Sequence, residues 1–179
     1  FGENYVDEAV QKIGALRDLH ATWHYIGSIQ TNKTRPIAEH FDWVHTVDRA
    51  RVAERLSAQR SGDRALDICL QVNIDRDPRK SGVDPDAAAT LLTTVRALPN
   101  LRLRGLMAIL DPTAEPLASY RRLRDLFEHL RPLAPGPWDT LSMGMSDDFP
   151  VAIAAGATHI RVGTAVFGAR SRAAIGPNE

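Results

Sequence analysis

The sequence predicts an α/β fold, a (β/α)8 TIM-type barrel with its first strand missing from this chain, and three observations carry that reading. First, short runs rich in β-branched and aromatic residues alternate with longer stretches of helical spacing. Strands that alternate with helices of about 10–15 residues build βαβ units and a parallel sheet. Second, seven strand candidates can be counted, where a closed barrel of this type needs eight. Third, the chain opens on "FGENYVDEAV", without an initiator Met and in a β-like run that emerges from something earlier. A doubly wound sheet is the competing architecture. No glycine-rich G-x-G-x-x-G turn opens any of the helices, so a dinucleotide-binding reading is weak.

The expected strands are residues 1–6, 22–29, 43–47, 66–73, 103–109, 139–145 and 159–165. The expected helices are 7–20, 34–41, 49–60, 85–98, 116–131 and 147–155, with a short one after Thr164. Asp48 and Asp84 are N-cap candidates, and Pro85 suits a first helical position, where its missing N–H costs nothing. Ser146 followed by Asp147 and Asp148 places a cap and two acids at a positive helix start. Val52 and Leu56, then Leu91, Leu92, Val95 and Leu98, recur at the spacing that packs one helix face onto a sheet. No linker, repeat or composition shift divides the chain, so residues 1–179 are expected to form one barrel domain, incomplete at its N-terminus.

At 179 residues the chain can bury one sizeable core. Lys+Arg 22 against Asp+Glu 22 gives no net charge, which argues against nucleic acid or an anionic membrane as partner. No apolar run approaches the roughly 20 residues needed to span a bilayer. The lone cysteine, Cys69, lies in the apolar run "LDICLQVNI" and reads as a buried core thiol in a reducing compartment. The only lysines are Lys12, Lys33 and Lys80.

In barrels of this type the chemistry sits at the C-terminal ends of the strands, and phosphate commonly binds the loops after strands seven and eight. Those ends read "SMGMSDD" and "RVGTAVFG" here. Gly144 permits close backbone approach, Ser146 offers a hydroxyl, and Gly163 and Thr164 offer backbone N–H groups and a second hydroxyl. Turn chemistry, with Ser146 only an N-cap, explains the same residues. By strand alternation Arg161 shares a face with Gly163 and points into the barrel mouth. Such an arginine needs a partner, because it cannot shed its charge. An ion pair with Glu3 and a bound ligand are both open. Asn4, His24, Gln71, Asn73 and Met107 lie on or at the ends of strands, where each is a core hydrogen-bonder or filler or a ligand contact. The six histidines show no metal-ligand spacing. Neither a G-x-S-x-G elbow nor a P-loop motif is present.

The ordered set "FGENYVDEAVQK", "WHYIGSIQTNK", "AEHFDWVHTVDR", "QVNIDRDPRKSG", "LRGLMAI", "LSMGMSDDFPVAIAAG" and "RVGTAVFGAR" resembles the pyridoxal phosphate homeostasis proteins, the proline synthase co-transcribed bacterial homologues. The resemblance implies a single-domain barrel like the N-terminal domain of alanine racemase. It implies pyridoxal 5′-phosphate (PLP), the vitamin B6 cofactor, as ligand. In that family a lysine at the end of the first strand forms a Schiff base with PLP. The lysine lies upstream of the "GENYV" segment, hence upstream of Phe1. By the same resemblance Ser146, Gly163 and Thr164 match phosphate-binding positions, Met145 lies beside them, Arg161 faces the pyridine nitrogen and Asn4 lies near the ring.

What the resemblance implies for activity is carrying and buffering of cofactor in the cytoplasm, by a monomer or weak dimer, with PLP-dependent apo-enzymes as recipients and no catalytic turnover. A guanidinium donating to the ring nitrogen keeps that nitrogen unprotonated, which makes the ring a poorer electron sink. Racemases of this fold share that arginine but add a tyrosine from a β-domain, and nothing beyond Arg170 except "SRAAIGPNE" follows here. A PLP-dependent racemase-type enzyme and a barrel for another phosphorylated metabolite are the alternatives. Lys33 and Lys80 fall in loops expected at the barrel mouth, where they are either solvated or in contact with PLP. Lys12 is expected at the surface. Loss of one strand would leave two unpaired sheet edges.

Overall fold

The computed structural model of the chain describes residues 1–134 and 136–168. Seven parallel strands run in sequential order, β1 (Gly2–Glu3), β2 (His24–Tyr25), β3 (Trp43–Val47), β4 (Leu66–Gln71), β5 (Leu101–Met107), β6 (Thr140–Met145) and β7 (His159–Arg161). Helices α1 (Val6–Ala15), α2 (Thr34–His40), α3 (Ala50–Gln59), α4 (Ala88–Arg96), α5 (Pro116–Leu130) and α6 (Phe149–Ala154) fill the crossovers, and α7 (Thr164–Phe167) follows β7. Strand order never reverses, so the switch point that defines a doubly wound sheet is missing among these strands and that alternative falls.

Side-chain contacts show how far the sheet curls. Adjacent strands lie about 4.8 Å apart, so in a flat sheet β3 and β6 would be about 14 Å apart and β2 and β7 about 24 Å. Yet His45 on β3 reaches Ser142 on β6 at 2.8 Å, and the rings of His24 on β2 and His159 on β7 are 6.3 Å apart. Only a sheet rolled nearly onto itself brings these pairs together. The fold is a near-closed, TIM-type parallel barrel.

Strand alternation divides the core in two. Val44, Ile68 and Leu106 face outward into the large apolar layer against the helices, joined by Val52 and Leu56 of α3, Leu92 and Val95 of α4 and Leu123 of α5. Trp43, Cys69 and Met107 form a second cluster from three neighbouring strands, inside the barrel. Strands β3 and β4 are therefore buried on both faces, their polar side chains included. Burial pushes the Cys69 thiol far above its ordinary value, so it stays a thiol and a core filler.

Of the two expected caps, Asp84 forms and Asp48 does not. Asp48 does not cap α3; Arg49 holds the cap position without a side-chain bond, and Asp48 instead pairs with the Arg49 guanidinium at 2.5 Å. Asp84 does cap, accepting from the Asp86 N–H at 2.9 Å, but the turn it opens is 3-10 over Pro85–Ala87 before α4 begins. Strand β7 is also shorter than expected, since residues from Thr164 onward turn into α7.

Candidate functional site at the C-terminal rim

Because every strand is parallel, the C-terminal ends of β1, β6 and β7 lie on one rim, and this is where the expected site residues fall. Asn4 follows β1 in the loop to α1. Its carbonyl accepts a long bond from the Tyr25 hydroxyl at 3.4 Å. It also lies so close to Gly27 that a Cβ there would sit 2.2 Å from the Asn4 oxygen. Met145 ends β6 and is the register partner of Arg161 on β7. Gly163 and Thr164 are exposed at the start of α7. Among the described residues, a Cβ added at Gly163 would meet nothing within 4 Å beyond its chain neighbours, so the space above its backbone is open there. The first N–H groups of any helix lack intrahelical acceptors.

Ser146 is not the cap of α6. The helix begins at Phe149 with Asp148 in the cap position, and Asp148 bonds elsewhere. Its Oδ1 accepts from the Met145 N–H at 2.7 Å and its Oδ2 from the Tyr120 hydroxyl at 2.6 Å. The carboxylate thereby pins the turn from Met145 to Asp148 onto α5. Gly144 makes the turn possible: its φ is +93°, and a Cβ would lie 2.5 Å from the Ala152 methyl. With the cap position filled by Asp148, the Ser146 hydroxyl has no partner among the described residues.

Arg161 projects inward from β7. One terminal nitrogen donates to Ser142 Oγ at 2.8 Å and the other to the Ala108 carbonyl at 2.8 Å. The expected ion pair with Glu3 does not form, because Glu3 pairs with Lys12 at 2.6 Å. Among the described residues Arg161 has no carboxylate partner. Burial lowers its affinity for a proton, with Tyr120, Cys69 and Asp148 opposing, but a guanidinium stays charged in a protein. A cation is therefore held inside the mouth by neutral acceptors, with hydrogen-bonding capacity left over.

The other candidates divide clearly. Gln71 donates to the Ser81 carbonyl at 3.1 Å, and Asn73 donates to the Asp77 carbonyl at 2.8 Å while accepting from the Asp77 N–H. Both tie down the loop after β4. Met107 is a core filler. Lys33 bridges both Asp7 oxygens at 2.9 Å, and Lys80 donates to the Leu110 carbonyl. Lys12 is half-exposed. The stretch from residue 169 onward, with Arg170 and "SRAAIGPNE", lies outside the described residues.

Sequence reasoning missed His45 and Ser142. Together with His24 they continue inward from Arg161: His45 Nδ1 is 2.8 Å from Ser142 Oγ, and His45 Nε2 is 2.9 Å from His24 Nδ1. The signal was available in the period of two, which puts His45 on the face of Trp43, and Ser142 on the face of Gly144. Burial holds His24 down to about 4, helped by other positive charges nearby. Burial, then His24, Arg161 and His159, also hold His45 well below its ordinary value. No group of His, Cys, Asp and Glu among the described residues could hold a metal ion.

A near-closed parallel barrel with an inward arginine on β7 that has no carboxylate partner among the described residues, and with glycine-bearing turns at the rim, defines a class, and the comparisons agree with it. Residues 1–171 match the family model "Alanine racemase, N-terminal domain". A pyridoxal phosphate homeostasis protein of Pseudomonas aeruginosa is 57% identical over 171 residues, which cover 95% of this chain and 74% of that protein. One of the same name from Haemophilus influenzae is 49% identical over 178 residues, 96% of this chain and 75% of the relative. The structure of PipY from Synechococcus elongatus with PLP bound superposes with a TM-score of 0.85 at 42% identity, covering 94% of this chain and 81% of PipY. The chain belongs to the pyridoxal phosphate homeostasis protein family. Those relatives are named for homeostasis of the cofactor and not for a reaction.

Proposed function

We propose that this chain binds PLP at the C-terminal rim of its barrel and serves to carry and buffer the cofactor in the cytoplasm without turning over a substrate. Residues 1–179 act as one binding domain, monomeric or weakly dimeric, that gives PLP up to apo-enzymes requiring it. The observation that carries this reading is Arg161, a guanidinium inside the barrel mouth with two neutral acceptors and, among the described residues, no carboxylate partner. A buried cation without a counterion is costly, and an anionic ligand with a ring nitrogen supplies both charge and acceptor.

The residues present fit the group. Ser146, Gly163 and Thr164 would hold the phosphate, since both hydroxyls lack partners among the described residues and the backbone at Gly163 is open above. Met145 and Asn4 would flank the ring from the ends of β6 and β1. Bound PLP supplies an aldehyde and an electron-withdrawing pyridine ring. Arg161 holds a proton that it does not release, so it donates to the ring nitrogen and leaves that nitrogen unprotonated. The site thereby binds and orients the ring while keeping it a weak electron sink, which suits storage better than carbanion chemistry. Among the described residues no helix is long and apolar enough to cross a membrane, and the balanced charge gives no pull toward nucleic acid.

Competition binding tests the reading. The chain should bind PLP at least about tenfold more tightly than pyridoxal, which lacks the phosphate, or than a sugar phosphate, which lacks the ring. Equal affinity for sugar phosphates would remove the cofactor assignment and leave a general phosphate site. Production of D-isomers from L-amino acids by the PLP-loaded protein would instead make it an enzyme.

A further inference from the structure

The hydrogen bonds behind Arg161 can be assigned a direction. Arg161 only donates, so one lone pair of Ser142 Oγ is taken. Ser142 is fully buried and has one proton to place, and His45 Nδ1 at 2.8 Å is the acceptor within reach. If His45 Nδ1 carried a proton, the serine hydroxyl would have two donors aimed at its oxygen and no acceptor for its own hydrogen, a loss in a buried site. His45 Nδ1 must therefore be bare and its proton must sit on Nε2. That proton then points at His24 Nδ1, 2.9 Å away, and leaves His24 protonated at Nε2. Each bond determines the next, from β7 through β6 and β3 to β2.

The surroundings keep the chain neutral. His45 is faced by His24 from β2 and by His159 and Arg161 from β7, with Trp43 beside it on β3. Asp67, the carboxylate on β4, is engaged by Arg102 and Arg104 toward the N-terminal end of the barrel. A proton added to His45 would put a second cation on the oxygen that anchors Arg161, and no acid among the described residues is placed to compensate.

We propose that His45 and Ser142 are positioning residues for Arg161, and that the one-directional chain His24–His45–Ser142–Arg161 fixes the guanidinium at the angle from which it meets the ring nitrogen of PLP. The role toward PLP rests on the function proposed above; the direction of the hydrogen bonds does not. Two measurements separate them. Nitrogen-15 NMR of the imidazole groups in the ligand-free chain at pH 7.5 should show His45 as the Nε2–H tautomer, and an Nδ1–H tautomer would overturn the chain of bonds. PLP titration with absorption spectra then compares His45→Asn, which keeps an acceptor near the Nδ1 position, with His45→Gln, which places its amide at the Nε2 position instead. His45→Gln and Ser142→Ala should weaken PLP binding by about tenfold and shift the band of bound PLP, while His45→Asn stays within about threefold of the parent. Melting curves confirm that each variant is folded. Parent-like affinity and spectrum in folded His45→Gln and Ser142→Ala would refute the positioning role. If the parent chain binds no PLP, the proposed function has failed, and the tautomer alone decides the relay.

Discussion

Asp148 does two things that its place in the sequence does not suggest. Beside Ser146 and Asp147 it looks like an acid at a helix start, yet its two oxygens join the Met145 backbone to the Tyr120 hydroxyl on α5. Burial and the adjacent carboxylate both raise the Tyr120 phenol well above its ordinary value, so the hydroxyl donates and never ionises at working pH. Tyr120→Phe removes that donor and leaves one carboxylate oxygen unsatisfied. It should cost about 1–3 kcal/mol in urea unfolding. It should also loosen the turn carrying Ser146, so that PLP binds several-fold more weakly; unchanged affinity would mean that the turn holds its shape without the tie.

Among the elements, β4 and β5 carry a charge network at the N-terminal end of the barrel, the end opposite the proposed site. Asp67 is engaged by Arg102 and by Arg104, and Arg104 continues to Asp139 at 2.7 Å while its guanidinium lies 4.8 Å from the Trp43 ring centroid. Through Arg104 the network lies against Trp43 of the inner Trp43, Cys69 and Met107 cluster. Asp67→Ala leaves two arginines facing each other across adjacent strands without the acid between them. Half-exposure of Arg102 moderates the loss, so about 2–3 kcal/mol is expected from denaturant unfolding. PLP affinity should stay within about twofold, since stability resides at the N-terminal face and ligand contacts at the other. A larger drop in affinity would show that floor and rim are coupled.

Across the whole molecule the three interior histidines make stability depend on acid. His24 is held at about 4, and His45 and His159 are also lowered, in each case first by burial. In the unfolded chain each returns to about 6.5. Between those values the unfolded state binds more protons than the folded one, so stability rises with pH there. The contribution is complete above about pH 6.5 and is lost as pH falls toward 4. Each histidine adds to that slope, buried His45 most and the part-exposed His24 and His159 less, because solvent screens them. Melting temperatures should therefore be flat from pH 7 to 8 and fall steeply below 6, and His24→Gln should flatten the fall. A melting temperature independent of pH between 6.5 and 4.5 would contradict the neutral interior.

Much of this protein was legible one residue at a time. The period of two in "WVHTV" and "LDICLQ" and the helical spacing of Val52 and Leu56 are local consequences of backbone geometry, so β3, β4 and α3 emerge from the sequence at nearly their observed bounds. The glycines and hydroxyls after β6 and β7, and the inward arginine, follow from the same alternation and from where parallel barrels place their ligands. What sequence could not decide was which distant groups meet. Asp48, Asp148 and Glu3 are each a plausible cap or partner by local rules, and each found another neighbour because a side chain satisfies whichever donor the fold brings nearest. Ser142 and His45 lie 97 residues apart in the chain and 2.8 Å apart in space. Closure of the sheet sets that distance, and with it the seat of Arg161.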